Sequence, residues 1–300
     1  MANTMLASTS PGKQGNGLRT DKQMRRRARG RFYWARFALA VLIAVVMLFP
    51  LYWMLLTAVS TKADLYRPGL HLWPAHFTWN NFTDPIHNFP VGRWFRNSFV
   101  IAVLVTLITV VVNLLAGFAF AKLHFRGKNA IFLLLLSTMM IPIQAIMVAQ
   151  FKLVVKLGMF GSIWAVILPS SASVFGIFLA RQFFIAIPDE LLEAARCDGA
   201  GIVRTFGSIV LPLCRPLIAV LTLMTFMYEW NDFTWPLIVF FSDNEKFTVP
   251  IGLVTDIKGQ YTTNYGAIMA MSLLMALPMV VLFVAFQKYF VQGLARSGIK

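Results

Sequence analysis

The chain has 300 residues, of which 58% are hydrophobic and 13% charged, with a formal net charge of +15. That composition excludes a soluble globular domain, because the apolar residues come in runs too long for a soluble core. The cations are scattered over the intervals between runs instead of lining one face, which argues for anionic lipid headgroups and against nucleic acid as their partner.

Residues 1–33 are rich in Ser, Gly, Gln and Arg and poor in apolar side chains. They are expected to form a flexible basic arm ahead of a membrane domain at 34–300. A helix needs about 20 apolar residues to cross a hydrocarbon layer of roughly 30 Å. Charge-free windows of that order run over Phe37–Thr61, Asn97–Ala121, Asn129–Phe151, Leu157–Ala180 and Gly259–Gln287. A further span is expected over about Pro216–Phe240, interrupted by Glu229 and Asp232. The expected fold is an all-α membrane protein of six transmembrane helices, since no ten-residue alternating pattern suggests a closed barrel. The first window is of spanning length and its Ala38-Leu39-Ala40 match falls where a signal peptide is not cut, so it reads as a retained anchor.

Basic residues mark the cytoplasmic side. With six spans, the arm, the turn at Lys122, Arg126 and Lys128, the loop from Arg181 to Arg215 and the tail from Lys288 share that side and hold 19 of the 27 Lys and Arg residues. Both termini are therefore expected to be cytoplasmic. Cys197 and Cys214 fall on the same reducing side, with no histidine nearby to complete a metal set, so neither a disulfide nor a metal is expected.

Between spans 4 and 5 lies a long cytoplasmic loop. Pro188-Asp189-Glu190 has the composition of a helix start, with acids at the positive end of the dipole. The helix is expected to run to Asp198, with Leu191, Ala194, Ala195 and Asp198 on one side and Glu193 positioned to pair with Arg196. Gly199 sits where a cap needs positive φ. A following stripe of Ile202, Phe206 and Ile209 is expected to pack under the bundle before Leu211-Pro212 re-enters the membrane.

Glu193-Ala194-Ala195, then Gly199 after three residues, then Ile209, Leu211 and Pro212 after nine more, reproduce without a departure the signature of the permease subunits of bacterial ABC importers. The chain further resembles carbohydrate-type importers of the maltose and glycerol-phosphate kind through Ile187-Pro188, Asp198-Gly199-Ala200, Trp230-Asn231-Asp232-Phe233 and the close Gln287–Leu294. The likeness covers roughly Phe37 to Lys300 and departs at the end, where Ser297-Gly298-Ile299-Lys300 replaces the usual Gly-Ala-Val-Lys-Gly. The resemblance implies a bacterial inner-membrane permease paired with a sister permease as a heterodimer. It also implies two ATP-binding subunits inside, a solute-binding protein outside and a sugar-like cargo. The loop would be a coupling helix, with Glu190, Glu193, Ala194, Ala195, Asp198, Gly199, Ile209, Leu211 and Pro212 engaging the ATPase.

No nucleotide-binding loop is present in the sequence: neither Gly12-Lys13 nor Gly127-Lys128 is followed by Ser or Thr. No cofactor and no catalytic residue is expected, since His71, His76, His87 and His124 lie beside no nucleophile or metal cluster. The second place of interest is Glu229, Trp230, Asn231 and Asp232, about 20 Å up the fifth span from Arg215. Charges at that depth face protein or a wet cavity. They read either as the wall of a sugar pathway or as a helix end with Trp230 and Trp235 in an interfacial belt. Gln144, beside Pro142, and Gln150 are weaker pathway candidates, and a nearby amide is read first as satisfying the carbonyl freed by the proline. Two other functions fit part of the pattern: a secondary transporter driven by an ion gradient, and an importer for amino acids, peptides or polyamines.

Overall fold

The computed structural model describes residues 15–297 except 242 and 258–263, with side chains described between 33 and 288. Among these residues there are helices and no strands, with one isolated bridge between Ser60 and Phe77. Residues 1–56 and 57–300 form separate units.

The first unit is a single helix, α1 (Gly15–Ala58), whose last residues belong to the second unit. From Tyr33 to Leu51 its described side chains are exposed, and they are almost all apolar. A helix apolar on every side is one that lies in lipid.

The second unit begins with two short helices, α2 (Lys62–Leu65) and α3 (Asn80–Asn88), ahead of the long α4 (Val91–Lys122). A bent pair follows, α5 (Lys128–Thr138) and α6 (Ile143–Lys156), meeting at 99°. Next come α7 (Trp164–Ser170) and α8 (Val174–Ile185), then the short α9 (Asp189–Cys197). Beyond it, α10 (Ile202–Thr205), a π-helical turn (Phe206–Val210) and α11 (Leu211–Leu213) bend by 79° into α12 (Arg215–Asn231). The chain finishes with α13 (Thr234–Phe240), α14 (Val249–Gly252) and α15 (Tyr265–Ser297). By length and composition four helical stretches suffice to cross a membrane, or up to six if each bent pair is one span.

Several expected boundaries move, each for a local reason. The third window is not straight: Pro142 is extended, and the residue before a proline avoids helical geometry. The Thr138 carbonyl, four residues before Pro142, accepts from the Ile141 N–H, while the Ser137 and Thr138 hydroxyls donate to the Leu134 and Leu135 carbonyls. Gln144 is thus not needed there and is exposed. The fourth span starts at Trp164 instead of Leu157, because Gly158 and Gly161 turn the chain at φ of 68° and 75°. The span expected over Pro216–Phe240 is broken: α12 ends at Asn231 and Asp232 is extended, with its Oδ1 accepting from the Thr234 N–H to open α13. The last helix starts at Tyr265, past the expected Gly259, which lies outside the described residues.

The two larger buried clusters among the described residues flank α4. One joins its first half to α7, α13, α14 and α15, around Trp94, Ile101, Val105, Ile167, Val239 and Met271. The other joins its second half to α8, α9 and α12, around Leu114, Phe118, Phe184, Leu192, Val210 and Leu217. Where α4 crosses α8, a Cβ on Gly117 would meet Ala180 Cβ at 2.5 Å, so a small residue sets the contact distance.

Candidate functional site

Two regions carry the polar chemistry of the second unit. The first is the segment around α9. Pro188 precedes it in extended geometry, and Asp189 and Glu190 fill its first turn, where carboxylates favour the positive end of the dipole. At its far end the Ala200 N–H donates to the Ala195 carbonyl and the Gly199 N–H to the Arg196 carbonyl, at 2.9 and 3.0 Å. That pair of bonds closes the helix through a left-handed residue, and Gly199 supplies it at φ 75°.

The helix turns Leu192 and Ala195 inward and leaves Glu190, Glu193, Ala194 and Asp198 exposed. Of the side expected to carry Leu191, Ala194, Ala195 and Asp198, Ala195 alone is buried and the other three are exposed. Glu193 and Arg196 form no ion pair; the acid that pairs is Asp189. Its Oδ1 lies 2.6 Å from Lys122 Nζ, which also donates to the Ile187 carbonyl at 2.6 Å. The Lys122 side chain is only 6% exposed, so the last residue of α4 is a buried ammonium held at the start of α9. The expected stripe after Gly199 holds in part. Phe206 packs on Phe118 and Phe184 and Ile209 is half-buried, whereas Ile202 is exposed and Thr205 and Val210 are buried. Leu211 is partly buried against α12 and Pro212 is exposed.

The Lys122 hydrogen bond and charge hold the Asp189 carboxyl below its ordinary range. A depressed carboxylate keeps its contribution above the unfolded value and loses it as pH falls through the lower folded value. The docking of α9 is therefore expected to be unchanged from pH 8 down to about pH 5, above the usual Asp value of ~3.9. Lys122→Met is expected to release the loop, raising amide hydrogen exchange over residues 186–200 about tenfold while exchange in the α4 core stays unchanged. Lys122→Arg should keep most of the protection. Equal exchange in Lys122→Met and the native protein would remove this contact from the account.

The second region is a cavity of about 370 Å³ enclosed by α4, α6, the α7–α8 break and α12. Pro169 ends α7 within a turn, and Ser171–Ser173 cross to α8 in irregular backbone. Such backbone persists inside a membrane protein only where protein or a wet cavity satisfies it. Here α4 does so: Thr109 Oγ1 donates to the Ser170 carbonyl at 3.1 Å, and Asn113 Oδ1 accepts from the Ser173 N–H at 3.3 Å. Gly176 lies directly against Asn113, and a Cβ there would overlap the amide. From α12, Tyr228, Glu229 and the following Asp232 complete the lining with Gln150 of α6.

The structure divides the sequence candidates. Glu229, Asp232 and Gln150 line the cavity, whereas Gln144 does not; Ile143 and Met147 flank Gln150 on α6. Trp230 is 1% exposed, stacks on Phe226 at 5.7 Å and donates its Nε1–H to the Met275 carbonyl, so it is a core residue and neither a stacking face nor a belt anchor. Trp235 is also buried, with Nε1–H on the Ala165 carbonyl. Asn231 is exposed and bonds the Met227 carbonyl one turn back. Asn113 was not among the candidates. Thr106, Thr109 and Asn113 recur at helical spacing inside an otherwise apolar window, a polar stripe that marks one face of α4 for burial against protein or a cavity.

Comparison with known proteins places these regions in a wider group. Residues 113–296, which include both, match the family described as binding-protein-dependent transport system inner membrane component. The chain is similar to the arabinooligosaccharides transport system permease protein AraQ of Halalkalibacterium halodurans, with 36% identity over 264 residues, 86% of this chain and 93% of the relative. It is equally similar to the sn-glycerol-3-phosphate transport system permease protein UgpE of Escherichia coli, with 36% identity over 86% of this chain and 94% of the relative. Its fold is like that of a chain in the crystal structure of a bacterial ABC transporter involved in the import of the acidic polysaccharide alginate. That likeness has a TM-score of 0.77 at 20% identity and covers 88% of this chain and 98% of the other.

Proposed function

Because the chain belongs to the family of binding-protein-dependent transport system inner membrane components, we propose that α9 is the helix through which it is driven by a separate ATPase. The protein is a multi-pass inner-membrane permease of an ABC importer for a sugar-type solute, and its relatives are permeases and not enzymes. In our reading each bent helix pair is one span, giving six, with both termini and α9 on the cytoplasmic side. The chain pairs with a sister permease, two ATP-binding subunits dock beneath the pair, and an external solute-binding protein delivers the cargo. Glu229 and Asp232 contribute to the pathway wall.

The observation that carries the coupling role is the build of α9. It is fastened on its inner face by Leu192, Ala195 and Lys122, capped by Gly199, and presents Glu190, Glu193 and Asp198 outward. A short rigid helix with free carboxylates suits a cleft containing arginines, because charge-assisted bonds fix orientation as well as contact.

Cys197 supplies a native probe, since it is exposed in the last turn of α9 and Cys214 is buried. Maleimide labelling of Cys197 is expected to slow at least about tenfold when the ATPase subunits join the permease pair, because a docked helix end is closed to a reagent of that size. Labelling at the same rate with and without the ATPase would reject α9 as the contact.

A further inference from the structure

We infer that the cavity admits an uncharged polyhydroxy solute and turns away anionic ones such as sugar phosphates and uronates; this refines the reading of the chain as a sugar permease and rests on it. Its lining contains two carboxylates, Glu229 and Asp232, and no Lys, Arg or His. An anion entering there finds no counter-charge from this chain, and any ionised carboxylate of the wall repels it.

Two buried polar atoms in the lining have no partner, and they are complementary. Glu229 is 7% exposed and its Oε2 accepts no hydrogen bond; Asn113 is fully buried and its Nδ2 donates none. Leaving such groups unsatisfied is costly, so their usual explanation is a ligand or water that fits them. Hydroxyls suit either atom, donating to a carboxylate oxygen or accepting from an amide N–H. A carboxylate or a fully ionised phosphate can serve only the amide. The other walls match a sugar too: Tyr228, Trp235 and Phe175 offer aromatic surface to its C–H faces. The volume of about 370 Å³ lies within the range of small-molecule sites.

The test uses the intact permease–ATPase complex in lipid nanodiscs without its binding protein, so that external selection does not intervene. The probes are a matched pair, arabinotriose and trigalacturonate. Arabinotriose is expected to bind about a hundredfold more tightly, the scale of unscreened like-charge repulsion over a few ångströms. Glu229→Gln with Asp232→Asn should narrow that gap at least about tenfold by strengthening trigalacturonate, and Asn113→Ala should weaken arabinotriose. Assembly of each variant is checked by size-exclusion chromatography.

Trigalacturonate binding as well as arabinotriose in the native complex overturns the inference, as does a gap that the double substitution leaves untouched. Binding of neither probe also overturns it, and ATP-driven sugar uptake by the full system then separates the two ideas. Uptake that persists leaves the permease reading standing and removes only the cavity's role; uptake that fails removes the permease reading itself.

Discussion

Glu193→Lys is expected to leave the protein inserted and assembled while uptake falls roughly 30- to 150-fold and ATP hydrolysis by the complex continues. Glu193 is exposed on α9, so the fold has little stake in its charge. If it meets an arginine of the ATPase, reversal removes a charge-assisted bond of roughly 2–3 kcal/mol and substitutes a like-charge contact. Gly199 tests the same helix by a different route. A Cβ at this position has open space around it, so any effect of substitution comes from the backbone at φ 75° and not from a clash. Gly199→Val is expected to cost about 1–2 kcal/mol locally and to unwind the last turn of α9. Gly199→Asn, which tolerates that geometry, should transport almost normally. Uptake and ATPase activity are measured together in proteoliposomes. Normal uptake by Glu193→Lys, or equal defects in the Val and Asn variants, contradicts the coupling role.

Gly176→Val is expected to give the second large effect, and it acts on the cavity. The new side chain overlaps the Asn113 amide, which is fully buried and already holds the Ser173 N–H. Overpacking of this kind costs about 1–3 kcal/mol, and here it also loosens the start of α8, where Ser173 caps the Gly176 N–H. Assembly yield and uptake should fall together. In the double variant Gly176→Ala with Asn113→Ala the overlap is relieved, so yield should recover, yet uptake should stay low because the amide is gone from the wall. Full recovery of uptake would mean that Asn113 only packs.

How far the sequence reveals this arrangement depends on the range of the forces involved. Apolar runs report lipid directly, and the local chemistry of α9 was legible to the residue: Pro188 before it, acids in its first turn, Gly199 after it. Which side of α9 faces inward was not, because it depends on a buried cluster shared with Phe118 and Leu217, far along the chain. Lys122 was visible only as one more loop cation. Its pairing with Asp189 spans 67 residues and exists because α4 and α8 pack closely enough to bring their ends together.

The cavity shows the same division. Glu229 and Asp232 stood out because charge inside an apolar window is expensive wherever it points. Trp230 stood beside them in the sequence, but adjacent residues on a helix face different ways, and it points at Met275 instead of the cavity. The bends were hidden for another reason. A charge-free window measures length and not direction, so the 99° turn at Met139–Pro142 left no mark in hydropathy.

The central claim is that this chain conducts a solute at the expense of ATP hydrolysed elsewhere. The direct measurement is uptake of labelled arabinotriose into proteoliposomes holding the chain with its sister permease, ATPase subunits and binding protein, with trapped ATP compared against an imposed proton or sodium gradient. Uptake that requires internal ATP, ignores the gradient and is lost in Glu193→Lys is the predicted result. Uptake that follows the gradient without ATP would contradict it and recast Glu229 and Asp232 as ion-coupling groups.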